Sequence, residues 1–140
     1  MRPGNRLASR ISTYTSTAPA ISANGADATA DGRYVTFLST ATNLVTGGTT
    51  NGVVNAFLRD TCAGTTSGCT PSTQLVSVAT NGTEANGATT SATIDSTGRY
   101  VIFESAATNL GVTLSTGGIF VRDTCNGVVS GCTPSTQSLQ

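Results

Sequence analysis

The chain has no lysine, no histidine and no tryptophan, and aromatic residues make up only 5% of its 140 residues. Without histidine, the commonest general base and metal ligand is missing. Without lysine there is no Schiff-base nucleophile and no phosphate-cradling lysine of a P-loop. Charge is scarce as well: charged residues are 10% of the chain, and seven arginines balance seven carboxylates. No net field draws in phosphate backbones or anionic lipid, so nucleic acid is not an expected partner. No stretch approaches the roughly 20 apolar residues that cross a bilayer, so no membrane span is expected. The first ten residues, Met1 to Arg10, are basic but carry no apolar core of the signal-peptide kind.

Ser, Thr, Gly, Ala and Asn fill the space that these absences leave. Such a composition favours strands and tight turns over helices, and the expected fold class is all-β. The strongest pattern is an internal repeat. Asp31-Gly-Arg-Tyr-Val-Thr-Phe37 returns as Thr97-Gly-Arg-Tyr-Val-Ile-Phe103, and Ala41-Thr-Asn-Leu44 as Ala107-Thr-Asn-Leu110, both at a spacing of 66. Phe57-Leu-Arg-Asp-Thr-Cys62 returns as Phe120-Val-Arg-Asp-Thr-Cys125 at a spacing of 63, as does Ser67-Gly-Cys-Thr-Pro-Ser-Thr73 as Ser130-Gly-Cys-Thr-Pro-Ser-Thr136. The missing three residues fall between Leu110 and Phe120, which marks that connection as a surface loop.

Within each unit, short β-branched or aromatic runs alternate with turn signals. Strands are expected at Tyr34 to Ser39 and Tyr100 to Ser105, then at Val54 to Asp60 and Gly118 to Asp123, with an outer strand at Gln74 to Thr80. A shorter strand is expected near Ala92 to Asp95, with a counterpart near Asp27 to Ala30, giving four strands per unit. Asn-Gly pairs at Asn24, Asn51, Asn81, Asn86 and Asn126 read as turns. Asn81-Gly-Thr83 is also the only glycosylation sequon, its use being set by the organism.

Cysteines occur at matching places in the two units, Cys62 with Cys69 and Cys125 with Cys132. Equal spacing and even number favour two local disulfides and an oxidising compartment over a zinc site, which would need ligands from hairpins 63 residues apart. Pairing across the units stays open at this level. Arg33 and Arg99 occupy equivalent turns, and Arg59-Asp60 and Arg122-Asp123 end equivalent strands, so ion pairs between strands or units account for these charges. The unduplicated acids Glu84, Glu104, Asp27 and Asp95 show no spacing that suggests a glycosidase pair. No catalytic residue, metal ligand or cofactor is expected.

The repeated residues resemble the TolB-type, WD-like β-propeller repeats of secreted bacterial proteins. The first unit supplies the family's pattern as Asp31 to Phe37, Ala41 to Val45, Gly47-Gly-Thr-Thr-Asn-Gly52 and Asn55-Ala-Phe-Leu-Arg-Asp60. The second supplies Ser96 to Phe103, Ala107 to Leu110 and Gly118-Ile-Phe-Val-Arg-Asp123. The resemblance implies two tandem four-stranded antiparallel blades, each with a disulfide-stapled hairpin, in an extracellular or cell-surface protein. The pattern departs from the family where Gly48 or Thr49 replaces the loop acid, where Asn55 and Gly118 stand for Asp, and around Gly111 to Thr116. Calcium wants several carboxylate and carbonyl oxygens, so no calcium site is expected in these loops.

Two blades do not make a ring, and typically four to eight are needed. The expected organisation is an orphan outer strand in residues 1–18, a first unit over 19–80, and a second over 81–140 whose outer strand is incomplete. Arg10, Ile11, Ser12, Thr13, Tyr14 and Thr15 would then complete the last blade of a neighbouring chain. On this expectation the protein is a non-catalytic extracellular structural protein that self-assembles head to tail by β-strand complementation into a fibre or closed ring. The alternative is a two-blade part of a larger secreted propeller that binds protein or glycan.

Overall fold

The computed structural model describes residues 25–111 and 116–139. They form two four-stranded antiparallel sheets, with no helix among them. The first sheet runs in order β1 (Asp27–Ala28), β2 (Tyr34–Ser39), β3 (Asn55–Asp60) and β4 (Ser72–Leu75). The second repeats that order with β5 (Thr89–Ile94), β6 (Tyr100–Ser105), β7 (Gly118–Asp123) and β8 (Ser135–Ser138). The all-β class, the four-stranded units and the disulfide in each hairpin agree with the sequence reading.

Duplication extends to register. Phe37 stands opposite Phe57 and Phe103 opposite Phe120, and each cross-strand pair stacks with ring centroids 5.6 Å apart. Burying each ring contributes about 1.5–3 kcal/mol, so these pairs anchor their sheets. Each inner turn is closed by a Thr and an Asp that have exchanged places. Thr29 Oγ1 donates to Asp31 Oδ1 in the first unit and Thr97 Oγ1 to Asp95 Oδ2 in the second, both at 2.7 Å. The accepting carboxylate also takes the N–H of Arg33 in one turn and of Arg99 in the other.

The sheets stack through unlike faces. Tyr34, Leu38, Ala56 and Leu58 of the first sheet pack against Ala92, Val101, Phe103 and Phe120 of the second. The opposite face of the first sheet buries Val35, Phe37 and Phe57, the equivalents of Val101, Phe103 and Phe120. The first unit thus uses its tyrosine face where the second uses its phenylalanine face.

Three expectations about the outer and inner strands are corrected. The outer strand lies at Ser72–Leu75, earlier than Gln74 to Thr80, because the chain leaves the ladder to cross to the second sheet. Val76 and Ser77 are fully buried in that crossing, where Ser77 Oγ donates to Asn55 Oδ1 at 2.8 Å and accepts from the Ala56 N–H. The second unit's outer strand is present, since β8 has the four residues and the pairing of β4, and Leu139 N–H donates to Ile119 O as Val76 N–H does to Ala56 O. The strand before the second turn is longer than expected, Thr89–Ile94, whereas its counterpart keeps only Asp27–Ala28.

Candidate functional site

Each Gly-Arg-Tyr turn holds three parts of one contact. The middle residue is a clamp. Arg33 forks onto Asp60, with Nε at 3.0 Å and Nη2 at 3.1 Å, and Arg99 onto Asp123 at 2.9 and 2.8 Å. Each guanidinium also lies over the ring of the following tyrosine, 4.9 Å from the centroid in both units. Bidentate geometry makes these pairs stronger than single surface ion pairs. The hydrogen bond from Arg99 holds the Asp123 carboxyl below its ordinary range, and both arginines are raised by their partners. These are ion pairs between strands of one unit, one of the two arrangements expected from the sequence.

The third residue is a knob and the first is its socket. Tyr34, buried in the contact between sheets, lies on Gly98, where an added Cβ would come within 2.2 Å of the Tyr34 ring. Only glycine lets the ring approach so closely. Further contacts fix the stack: Thr89 N–H donates to Val54 O at 2.9 Å, Ile94 N–H to Asp27 Oδ2 at 3.0 Å, and Asn51 Nδ2 to Ala85 O at 2.8 Å. Glu84 accepts from the N–H groups of Thr50 and Asn51 and from Thr50 Oγ1, and the Thr50 N–H leads in holding its carboxyl below the usual range.

The same tyrosine face of the second sheet is open. All six residues of β2 are buried, whereas β6 alternates, exposing Tyr100, Ile102 and Glu104. Ile102 is 45% exposed, and Tyr100 and Ile119 are 39% exposed. Beside them Thr90, Glu104, Gly117, Gly118 and Ile119 line a pocket of about 430 Å³. Three of the five large apolar side chains exposed among the described residues lie on this face.

The cysteines form two local disulfides, Cys62–Cys69 and Cys125–Cys132, so pairing across units does not occur. Asp60, Cys62 and Cys69 offer atoms within 4.8 Å of one another, as do Asp123, Cys125 and Cys132. A disulfide sulfur carries no thiolate charge, and each carboxylate is already held by a guanidinium, so neither cluster has the chemistry of a metal site. Among the unduplicated acids, Asp27 and Glu84 hold the two units together, Asp95 closes a turn, and Glu104 stands on the open face. Arg59 and Arg122 bond Thr73 and Thr136 across β3–β4 and β7–β8, and burial lowers the Arg122 pKa.

Two features escaped the sequence reading. Asn86 is not a positive-φ turn: it exchanges hydrogen bonds with Thr108 and Asn109, and Gly87 is needed because a Cβ would meet the Ala106 backbone at 2.6 Å. Thr80 Oγ1 accepts from Thr136 N–H at 2.9 Å and donates to Thr136 O at 3.2 Å, blunting the outer edge of β8. Asn81 is exposed, and its side-chain oxygen accepts from Thr83 N–H. Residues 10–15 lie outside the described residues, as does residue 24 of the first Asn-Gly pair. No described helix is long and apolar enough to cross a membrane. No protein-family model matches the chain, and no curated protein or solved structure matches it.

Proposed function

We propose that the chain is a pair of stacking units in a larger, non-catalytic β-propeller-type assembly outside the cell, serving as a scaffold whose loops meet protein or glycan ligands. One observation carries this reading: the units stack by unlike faces, and the stack ends on an exposed tyrosine face. A contact between unlike faces propagates instead of closing on itself, and here the tyrosine face of the second unit is left exposed while the phenylalanine face of the first is buried. The two disulfides support an oxidising compartment. The acids that could serve catalysis are engaged in hydrogen bonds between units and in turns, or stand alone on the open face.

Self-assembly by strand complementation is the second reading, and it rests on the unpaired edge that a sheet presents. Two observations weigh against it at the second unit: β8 already fills the outer position, and Thr80 occupies the backbone groups of Thr136 on its free edge. Light scattering and electron microscopy of the intact chain and of a chain without residues 1–18 separate the two. The scaffold reading expects no ordered fibre or ring that depends on those residues. Ordered particles that vanish with the deletion would overturn it, as would clear turnover of a glycosidic or ester substrate.

A further inference from the structure

We infer that the open tyrosine face of the second unit is a preformed seat for a third sheet of the same repeat type, with Tyr100 as its knob and a turn glycine of the incoming sheet as the socket. The inference rests on the scaffold reading and adds the identity of the missing neighbour.

On the first unit the seat is occupied, and its occupant is visible. Tyr34 enters the turn at Gly98; Val54 O receives the Thr89 N–H; and Leu38, Ala56 and Leu58 cover Val101, Phe103 and Phe120. The paired registers of β2–β3 and β6–β7 map Tyr34 onto Tyr100, Thr36 onto Ile102, Leu38 onto Glu104, Ala56 onto Ile119 and Leu58 onto Val121. The residue before β7, Gly117, maps onto Val54, and it lines the pocket beside Ile119. The pocket therefore corresponds to the place where Thr89 of the second unit meets the first. An incoming strand would put an N–H there, on Gly117 O.

The knob is already set. Arg99 lies over the Tyr100 ring 4.9 Å from its centroid and is itself pinned to Asp123, as Arg33 is over Tyr34 and pinned to Asp60. Holding the ring in place before contact lowers the entropy lost on docking. The face is also more apolar than its occupied counterpart at two positions, with Ile102 for Thr36 and Ile119 for Ala56.

The occupant is a third repeat and not a second copy of this chain. A second copy has no phenylalanine face to give: Phe37 is 3% exposed, and Phe57, Phe103 and Phe120 are 0% exposed within the chain. What the seat recognises is a Val-x-Phe strand beside a Phe-bearing strand, headed by a Gly turn.

The test extends the chain by a further unit, residues 77–139 placed after Leu139 so that Ser77 follows it as it follows Val76, with a Tyr→Phe change at the added unit's own turn so that only the original Tyr100 is read. Chemical labelling of tyrosine read by mass spectrometry compares Tyr100 with the buried Tyr34. In the extended chain Tyr100 labelling is expected to fall about five- to sixfold, the ratio of its 39% exposure to the 7% of Tyr34. A Gly→Ala change at the added unit's turn glycine should restore it, and Ile102→Asp should do the same from the other side. Tyr100 labelling that is unchanged by the added unit overturns the inference while leaving the scaffold reading intact. Protection of Tyr100 in the unextended chain as concentration rises overturns it in favour of a second copy. Ordered particles lost with residues 1–18 would instead sink the reading beneath it.

Discussion

Replacing Gly98 by alanine tests the contact between the units at its narrowest point. Two costs are expected. Gly98 sits at φ +78°, where an L side chain is strained by about 1–2 kcal/mol. The new methyl also meets Tyr34 at 2.2 Å from Cδ2, 2.6 Å from Cγ and 2.7 Å from Cε2. Those atoms include the base of the ring, so a rotation of the tyrosine tip does not relieve them, and the sheets must part. Overpacking of this kind costs about 1–3 kcal/mol. Gly127 separates the two terms, because it has φ +82° and nothing within 4 Å of an added Cβ. Urea unfolding with disulfides intact, followed by circular dichroism, should place Gly127→Ala about 1–2 kcal/mol below the parent and Gly98→Ala about 1–3 kcal/mol lower again. Adding Tyr34→Ala should bring the cost of Gly98→Ala down to that of Gly127→Ala, since the clash is gone. Equal costs for the two glycines in the parent chain would refute the knob and socket.

Three further outcomes follow from the structure. The carboxyl of Asp123 is held low chiefly by the Arg99 hydrogen bond, so its stabilisation is present above the unfolded carboxyl pKa and is lost as pH falls through the lower folded value. Asp123→Asn should therefore narrow the gap between urea midpoints at pH 7 and pH 2, and an unaltered gap would count against the fork. Each disulfide closes a short loop of sequence separation 7, so removing either pair as a double Cys→Ala variant should cost about 2–3 kcal/mol, with the two losses additive because the loops share no partner. Thr80→Val should cost about 1 kcal/mol and shorten the lag before aggregation in light scattering, whereas Thr80→Ser keeps the hydroxyl and should behave as the parent.

Much of the fold was legible because the repeat pins register twice over. Tyr34–Ser39 and Tyr100–Ser105 were bounded correctly by a glycine turn before a β-branched and aromatic run, and the local disulfides followed from equal spacing. The outer strands were placed wrongly for a physical reason. Val76 to Ala79 read as a strand by alternation, but they are buried in the passage between sheets, where burial and β character look alike in sequence. The exposed tyrosine face was missed because its signal is positional. Tyr34 and Tyr100 sit in the same motif, and nothing in either motif says that one ring is covered and the other is not.

That inequality bears on what a unit of this protein is. The repeat in sequence ends near the outer strand, but the contact that holds two repeats together joins the tyrosine of one to the glycine of the next. Stability then belongs to neighbouring pairs more than to single units, as in other stacked repeats. The crossing segment follows the same rule, since Thr80 at the end of one unit caps the outer strand of the following one. Glu104 bears on how such a contact would be made selective. It stands where the first unit buries Leu38, and a carboxylate there keeps an otherwise apolar face wet until a neighbour covers it. An Ile102, Ile119 and Tyr100 surface with leucine in place of Glu104 would stack more tightly on the neighbour proposed above and also on everything else, so the charge would trade affinity for selectivity at this exposed face.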